Sequence, residues 1–112
     1  MYAQVTKIRV GLDKMTSFRA FLNQTYLPEL RQRAGYIGAM LLEQIDDRDS
    51  AQLIVIWKNQ QAVEAFTATG SLSSGVQALT NALAGGQFQR ESYIVTEQHG
   101  LTVTTDAQIA DV

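Results

Sequence analysis

The chain has 112 residues, of which 46% are apolar and 18% charged, with a net charge of -2 and no cysteine. These values predict one globular domain and exclude a basic nucleic-acid surface, an anionic-membrane surface, a disulfide framework and thiol chemistry. No apolar run approaches the ~20 residues of a membrane span, and the N-terminal residues do not form a secretory signal, so we expect a cytoplasmic protein.

The first third of the chain predicts a strand followed by an amphipathic helix. Residues 2–10 are rich in β-branched side chains, and Asp13 is expected to cap the helix that follows. Pro28 should kink this helix or restart it, and Gly35 should end it. The apolar stripe of the helix has spacings of three and four and is formed by Met15, Phe18, Leu22, Tyr26 and Leu30.

Two strongly apolar strands and further helical segments follow. Residues 36–45 and 51–58 predict a β-hairpin around a polar turn, and residues 87–98 predict a fourth strand. Asn59 should cap a helix that buries Ala62, Val63 and Phe66, and a second helical piece is expected at about 71–83. The order predicts an α+β, ferredoxin-like split βαβ (βαββαβ) fold with an antiparallel sheet in residues 1–98, followed by a C-terminal arm in 99–112.

The sequence LIVIW at residues 53–57 has apolar side chains on both faces of its predicted strand. In this topology the helices cover one face of the sheet, so the other face would expose a large apolar patch. A second copy packed sheet to sheet would cover it, which predicts a homodimer through the sheet face. Alternatively, the C-terminal segment folds back over the sheet. Leu101 and Val103 in the arm could also add a short strand to the partner.

The segments AGYIGAMLLEQIDD and LIVIWKNQQAVEAF resemble the signature of antibiotic biosynthesis monooxygenase-like (ABM) domains. The shared pattern is a small residue and Gly35 before the aromatic Tyr36, an apolar strand ending in Trp57, and a helix that carries Glu64 and Phe66. The resemblance implies that two sheets pair into a dimeric α/β barrel. The superfamily includes quinol-forming monooxygenases, haem-degrading enzymes and isomerases.

Cofactor motifs are not found in the sequence. The haem-degrading branch has a tryptophan where Phe66 stands and an axial histidine near Val76, whereas the one histidine of this chain is His99. Haem degradation is therefore not expected. No dinucleotide fingerprint or metal-ligand spacing occurs, and the acidic run at residues 46–49 is typical of a solvated hairpin turn. We expect no cofactor and no metal.

The resemblance implies a small cofactor-independent monooxygenase that acts on a phenolic or quinol-like small molecule. The alternatives are a non-catalytic small-molecule-binding or stress-responsive dimer and a structural module of a larger assembly. Each pocket candidate also has a structural interpretation: core packing for the aromatic residues, exposure for the amide, and a sheet-rim position for the arginine. The candidates are Trp57, Tyr36, Tyr93, Asn23, Phe66 and Arg90.

Overall fold

The predicted strand segments form a four-stranded antiparallel sheet. The computed structural model describes residues 1–68 and 86–100, and the sheet within them comprises β1 (Tyr2–Arg9), β2 (Tyr36–Glu43), β3 (Ser50–Trp57) and β4 (Gln87–Ile94). The strand order is β2-β3-β1-β4, with every neighbouring pair antiparallel. Helices follow β1 and β3 along the chain, which confirms the predicted α+β, ferredoxin-like arrangement.

A helical stretch of three segments connects β1 to β2. It consists of α1 (Met15–Phe21), a π-helical segment (Leu22–Tyr26) and α2 (Leu27–Arg31). Pro28 lies in the first turn of α2, where a missing N–H disturbs the backbone least, so the predicted restart of the helix at this proline is confirmed.

The spacing of the buried side chains explains the π-helical segment. Phe18, Leu22, Tyr26 and Leu30 are each no more than 8% exposed and follow one another at steps of four residues. Four residues of an α-helix turn through about 400°, so each step would drift by about 40° from the buried face. The wider π turn absorbs this drift and keeps all four side chains against the sheet.

The start of α1 differs from the sequence-based prediction. Lys14 occupies the N-cap position and makes no side-chain capping hydrogen bond. Asp13 has a φ of 59°, in a turn where the Lys14 N–H donates to the Gly11 carbonyl oxygen at 3.1 Å. The predicted Asp13 cap is therefore wrong, because the turn uses this residue for its tolerance of the left-handed region.

The helix after β3 begins as predicted. The side-chain oxygen of Asn59 accepts a hydrogen bond from the Ala62 N–H at 2.9 Å, and α3 spans Gln60–Ala68. The chain before β2 packs against this start, because the Lys58 N–H donates to the Gly35 carbonyl oxygen at 2.7 Å. The predicted helical piece at 71–83 and most of the C-terminal arm lie outside the described residues, and β4 ends at residue 94 rather than 98.

The strand register decides which face of each strand is buried. Leu53, Val55 and Trp57 face the helices and are 2%, 3% and 0% exposed, whereas Ile54 and Ile56 alternate with them on the opposite, open face of the sheet. The open face also carries Val5 of β1, which pairs with Ile54. In residues 1–68 and 86–100 no helix has the length and apolar character needed to cross a membrane.

Candidate functional site

Polar side chains lie on the helix-facing side of the sheet, where apolar packing would be the default. Gln4 and Thr6 of β1 face the helices and are each 3% exposed. Thr6 pairs with Arg90 of β4, so the arginine also belongs to this face. Burial of polar groups is costly unless they are hydrogen-bonded, so this part of the interior differs from an ordinary core.

Neutral groups hold the Arg90 guanidinium in place. Its Nε donates to Thr6 Oγ1 at 3.3 Å, and Nη2 donates to the Tyr26 hydroxyl oxygen at 3.0 Å. The guanidinium carbon lies 5.7 Å from the ring centre of Phe66 and 5.9 Å from that of Phe88. Across the part of the chain that the structure describes, no carboxylate pairs with Arg90. Its positive charge is therefore oriented but not neutralised.

Tyr26 remains a neutral phenol beside this cation. Burial raises the pKa of Tyr26 above its ordinary value, and the nearby Glu29 carboxylate acts in the same direction. The charge and hydrogen bond of Arg90 lower the pKa, but they do not overcome the effect of burial. At neutral pH the hydroxyl thus accepts from Arg90 and keeps its own proton.

An aromatic layer continues from Arg90 towards the end of β3. The ring centres of Trp57 and Phe66 are 5.3 Å apart, and Tyr36 meets Trp57 edge-on at 6.2 Å with an interplanar angle of 86°. Trp57 is fully buried, yet its indole Nε1–H has no hydrogen-bond partner among the described residues. A buried donor left unpaired costs roughly 1–3 kcal/mol, so such a group is a rational place for a ligand oxygen.

A second guanidinium contacts the same aromatic layer. The Arg33 guanidinium carbon lies 5.6 Å from the Phe66 ring centre, and its Nη2 pairs with a Glu29 carboxylate oxygen at 3.1 Å. Phe66 is therefore in contact with two cations and with the indole of Trp57. Cations near the ring face favour binding of electron-rich or anionic groups in the same region.

Four of the six predicted pocket residues come together in this cluster, namely Trp57, Tyr36, Phe66 and Arg90. Asn23 lies exposed on the π-helical segment. Tyr93 is 47% exposed on the open face, where its hydroxyl donates to a Glu91 carboxylate oxygen at 2.7 Å. Neither residue reaches the cluster.

Three residues of the cluster, Tyr26, Gln4 and Thr6, are not among the predicted pocket candidates. The helical spacing predicts Tyr26 as part of an apolar stripe, but a tyrosine in such a stripe also buries a hydroxyl that needs a partner. Gln4 and Thr6 alternate with Ala3 and Val5 in β1. This alternation predicts that Gln4 and Thr6 share one face of β1, opposite the face of Ala3 and Val5.

A groove of about 820 Å³ lies at the ends of the four strands. Its lining includes Lys7, Gln52 and Gln89, which pair with one another across β1, β3 and β4 and alternate with residues that face the helices. The groove therefore lies on the open face of the sheet, opposite the cluster. The groove is lined by Lys7, Ile8, Arg9, Leu42, Glu43, Gln44, Ser50, Ala51, Gln52, Gln87, Phe88 and Gln89.

The chemistry available in the cluster is that of hydrogen bonding, cationic charge and aromatic contact. Within residues 1–68 and 86–100, no three His, Cys, Asp or Glu side chains are grouped so that they could hold a metal ion. The arrangement suits a flat aromatic ligand with an ionisable oxygen, held by Arg90 and by the indole N–H of Trp57.

Comparisons with known proteins agree with this fold. The model of the family described as "Antibiotic biosynthesis monooxygenase" (ABM) matches residues 1–78, and no curated protein matches the sequence. Among solved structures, a candidate antibiotic biosynthesis monooxygenase from Deinococcus radiodurans is 14% identical, covers 91% of this chain and 99% of its own, and gives a TM-score of 0.75. SnoaB, a cofactor-independent oxygenase from Streptomyces nogalater, is 16% identical, covers 89% and 97% of the two chains, and gives a TM-score of 0.74.

Proposed function

Because the chain belongs to the antibiotic biosynthesis monooxygenase family, we propose that it is a small oxygenase that acts on a phenolic or quinol-like molecule without an organic cofactor. SnoaB, which shares the fold, is named a cofactor-independent oxygenase, and this supports the choice. The observation that carries the proposal is the buried indole N–H of Trp57, which has no hydrogen-bond partner among the described residues and lies in one aromatic cluster with the Arg90 cation.

The proposed reaction converts a phenol with a free para position into a para-quinone. The substrate loses the hydrogen of its hydroxyl and the hydrogen of the ring carbon that is oxidised. One atom of dioxygen becomes the new carbonyl oxygen, and the other leaves as water with these two hydrogens. The substrate is oxidised by four electrons and dioxygen is reduced by four, so no further reductant is required.

Each residue of the cluster has a role in this proposal. Arg90 stabilises the phenolate, whose extra electron density makes the ring reactive towards dioxygen. Trp57 donates its indole N–H to an oxygen of the substrate or of the reduced dioxygen. Phe66 and Tyr36 contact the substrate ring and exclude water from the reactive carbon.

We also propose that the protein is a homodimer through the open face of the sheet. Val5 and Ile54 on this face are apolar and partly exposed, and a second sheet would remove them from water. The partner would close the dimeric barrel that the family resemblance implies. Tyr93 would then lie at the contact between the two sheets.

Oxygen consumption with 1,5-dihydroxynaphthalene tests the proposed reaction, because one turnover uses one dioxygen and yields a coloured hydroxynaphthoquinone. We expect Arg90→Ala and Trp57→Phe to lower kcat/KM by at least tenfold, since each removes a polar contact to the reacting oxygen. Arg19→Ala is the matched control, because Arg19 pairs with Glu43 at the surface.

Two outcomes of this experiment favour other functions. Ligand-induced thermal stabilisation without oxygen uptake across a panel of dihydroxynaphthalenes would refute the oxygenase and favour a small-molecule-binding or stress-responsive protein. If the panel produces neither oxygen uptake nor thermal stabilisation, both the oxygenase and the small-molecule-binding function are refuted, and a structural role remains.

A further inference from the structure

We propose that Tyr26 is a positioning residue for this site, whose hydroxyl orients the Arg90 guanidinium so that the cation meets the phenolate oxygen of the substrate. This inference rests on the proposed function and assigns a role to a helical residue that does not itself contact the reacting atoms. Tyr26 has this effect through Arg90.

The two hydrogen bonds of Arg90 fix the plane of its guanidinium. Thr6 accepts from Nε on the sheet side at 3.3 Å, and Tyr26 accepts from Nη2 on the helix side at 3.0 Å. The guanidinium is planar, so fixing these two nitrogens also fixes where Nη1 points. In the described part of the chain Nη1 has no partner, and its N–H groups remain available to an anionic oxygen.

The helix is built so that the Tyr26 side chain reaches the sheet. Tyr26 is the last residue of the π-helical segment and is 8% exposed. An uninterrupted α-helix would rotate it by about 80° from the direction of Phe18, two steps of four residues earlier. The π turn removes this rotation, and π turns occur often at functional sites in other proteins.

A tyrosine holds the arginine without neutralising it. An aspartate or glutamate in the same place would form an ion pair with Arg90 and compete with the substrate oxygen. The phenol of Tyr26 stays protonated because burial and Glu29 outweigh the influence of Arg90. Tyr26 therefore supplies orientation and leaves the full positive charge to the ligand.

The first test compares Tyr26→Phe with Tyr2→Phe. Tyr26→Phe keeps the ring that packs 6.1 Å from Phe21 and removes only the hydroxyl. Tyr2 is a matched control on the same face, because its hydroxyl donates to a Gln60 oxygen at 3.4 Å rather than accepting from Arg90. With 1,5-dihydroxynaphthalene we expect kcat/KM to fall about 10- to 100-fold in Tyr26→Phe and to change less than twofold in Tyr2→Phe.

The second test does not need turnover and separates positioning from packing. 4-Nitrophenol is the probe, because its phenolate is coloured and its pKa on the protein can be read by absorbance. The wild type should lower the pKa of bound 4-nitrophenol relative to the free compound, and Tyr26→Phe should raise it again by about one unit. A purely structural role of Tyr26 would change the melting temperature without changing this pKa.

The outcomes distinguish the two proposals. A lowered nitrophenol pKa that is lost in Tyr26→Phe supports the positioning role, even if the wild type oxidises no dihydroxynaphthalene and the proposed function fails. If Tyr26→Phe changes neither the turnover nor the pKa of bound 4-nitrophenol, the positioning role is overturned and the oxygenase proposal is unaffected. A wild type that does not bind 4-nitrophenol as its phenolate would also overturn it.

Discussion

Replacement of Gly35 by alanine should destabilise the fold at the point where α3 is fixed to the start of β2. Gly35 has a φ of 84°, in the left-handed region, and a Cβ added there would lie 2.5 Å from the Cβ of Ala62. Both atoms belong to short, stiff parts of the chain, so neither can move without shifting backbone. Gly35→Ala therefore combines a conformational cost with a steric one.

The magnitude follows from these two contributions. A non-glycine residue in the left-handed region costs about 1–2 kcal/mol, and forcing an extra carbon into a packed contact costs about 1–3 kcal/mol. Alanine recovers about 0.4–1 kcal/mol by restricting the unfolded chain. We expect a net loss of about 2–4 kcal/mol, which for a domain of this size lowers Tm by about 8–17 °C.

Thermal and urea denaturation of four variants, Gly35→Ala, Ala62→Gly, their double variant and Gly100→Ala, tests this prediction. Gly100→Ala is the matched control, because Gly100 also has a positive φ of 70° but nothing within 4 Å of the added carbon. The double variant Gly35→Ala/Ala62→Gly should recover the steric part, as a coupling of about 1–3 kcal/mol in a double-mutant cycle. The reasoning is refuted if Gly35→Ala is no more destabilising than Gly100→Ala, or if the double variant shows no coupling.

Three further predictions concern the helix cap, the surface ion pair and the open face. Asn59→Ala should lower the free energy of unfolding by about 1 kcal/mol, because it removes the 2.9 Å hydrogen bond from the Ala62 N–H. The control Asn23→Ala, at an exposed position, should change the free energy of unfolding by less than about 0.5 kcal/mol. Equal effects of the two variants in urea denaturation would contradict the capping role of Asn59. The hydrogen bond from Arg19 lowers the pKa of Glu43 below its ordinary value of 4.5. The ion pair should therefore stabilise the fold above pH 4.5, and this stabilisation should be lost as the pH falls through the lowered pKa of Glu43. A Tm difference between wild type and Glu43→Gln that does not narrow on acidification would contradict this contribution of the ion pair. Light scattering of the wild type at micromolar concentration should give twice the 12.4 kDa chain mass. Ile54→Lys on the open face should give the mass of one chain, whereas Leu12→Lys, at an exposed position elsewhere, should keep the mass of two chains. A monomeric wild type would refute the sheet pairing.

The fold was largely predictable, because local patterns and topology agree. Apolar and β-branched runs predicted β1, β2 and β3, and Asn59 before an apolar helical pattern predicted the start of α3. The π-helical segment was not predicted, since steps of four residues are equally compatible with the stripe of an ordinary helix. The sequence does not distinguish a cap at Asp13 from a turn, because aspartate is favoured both at caps and in left-handed turns.

The site was only partly predictable, because it depends on which face each strand turns inward. Residues 53–57 are apolar on both faces, so the pattern could not decide whether Trp57 or Ile56 would face the helices. Arg90 and Tyr93 differ by three positions on one strand and therefore lie on opposite faces. The contact of Tyr26 with Arg90 joins residues 64 apart in the chain, which local patterns do not encode.

The position of Trp57 makes the protein its own optical probe. It is the one tryptophan in the chain, so all indole emission arises from a fully buried ring beside Tyr36 and Phe66. A quinone product or an aromatic ligand next to this ring should quench the emission, and loss of α3 packing should shift it to longer wavelength. Binding, turnover and local opening of the cluster can therefore be followed in one fluorescence channel, without a label.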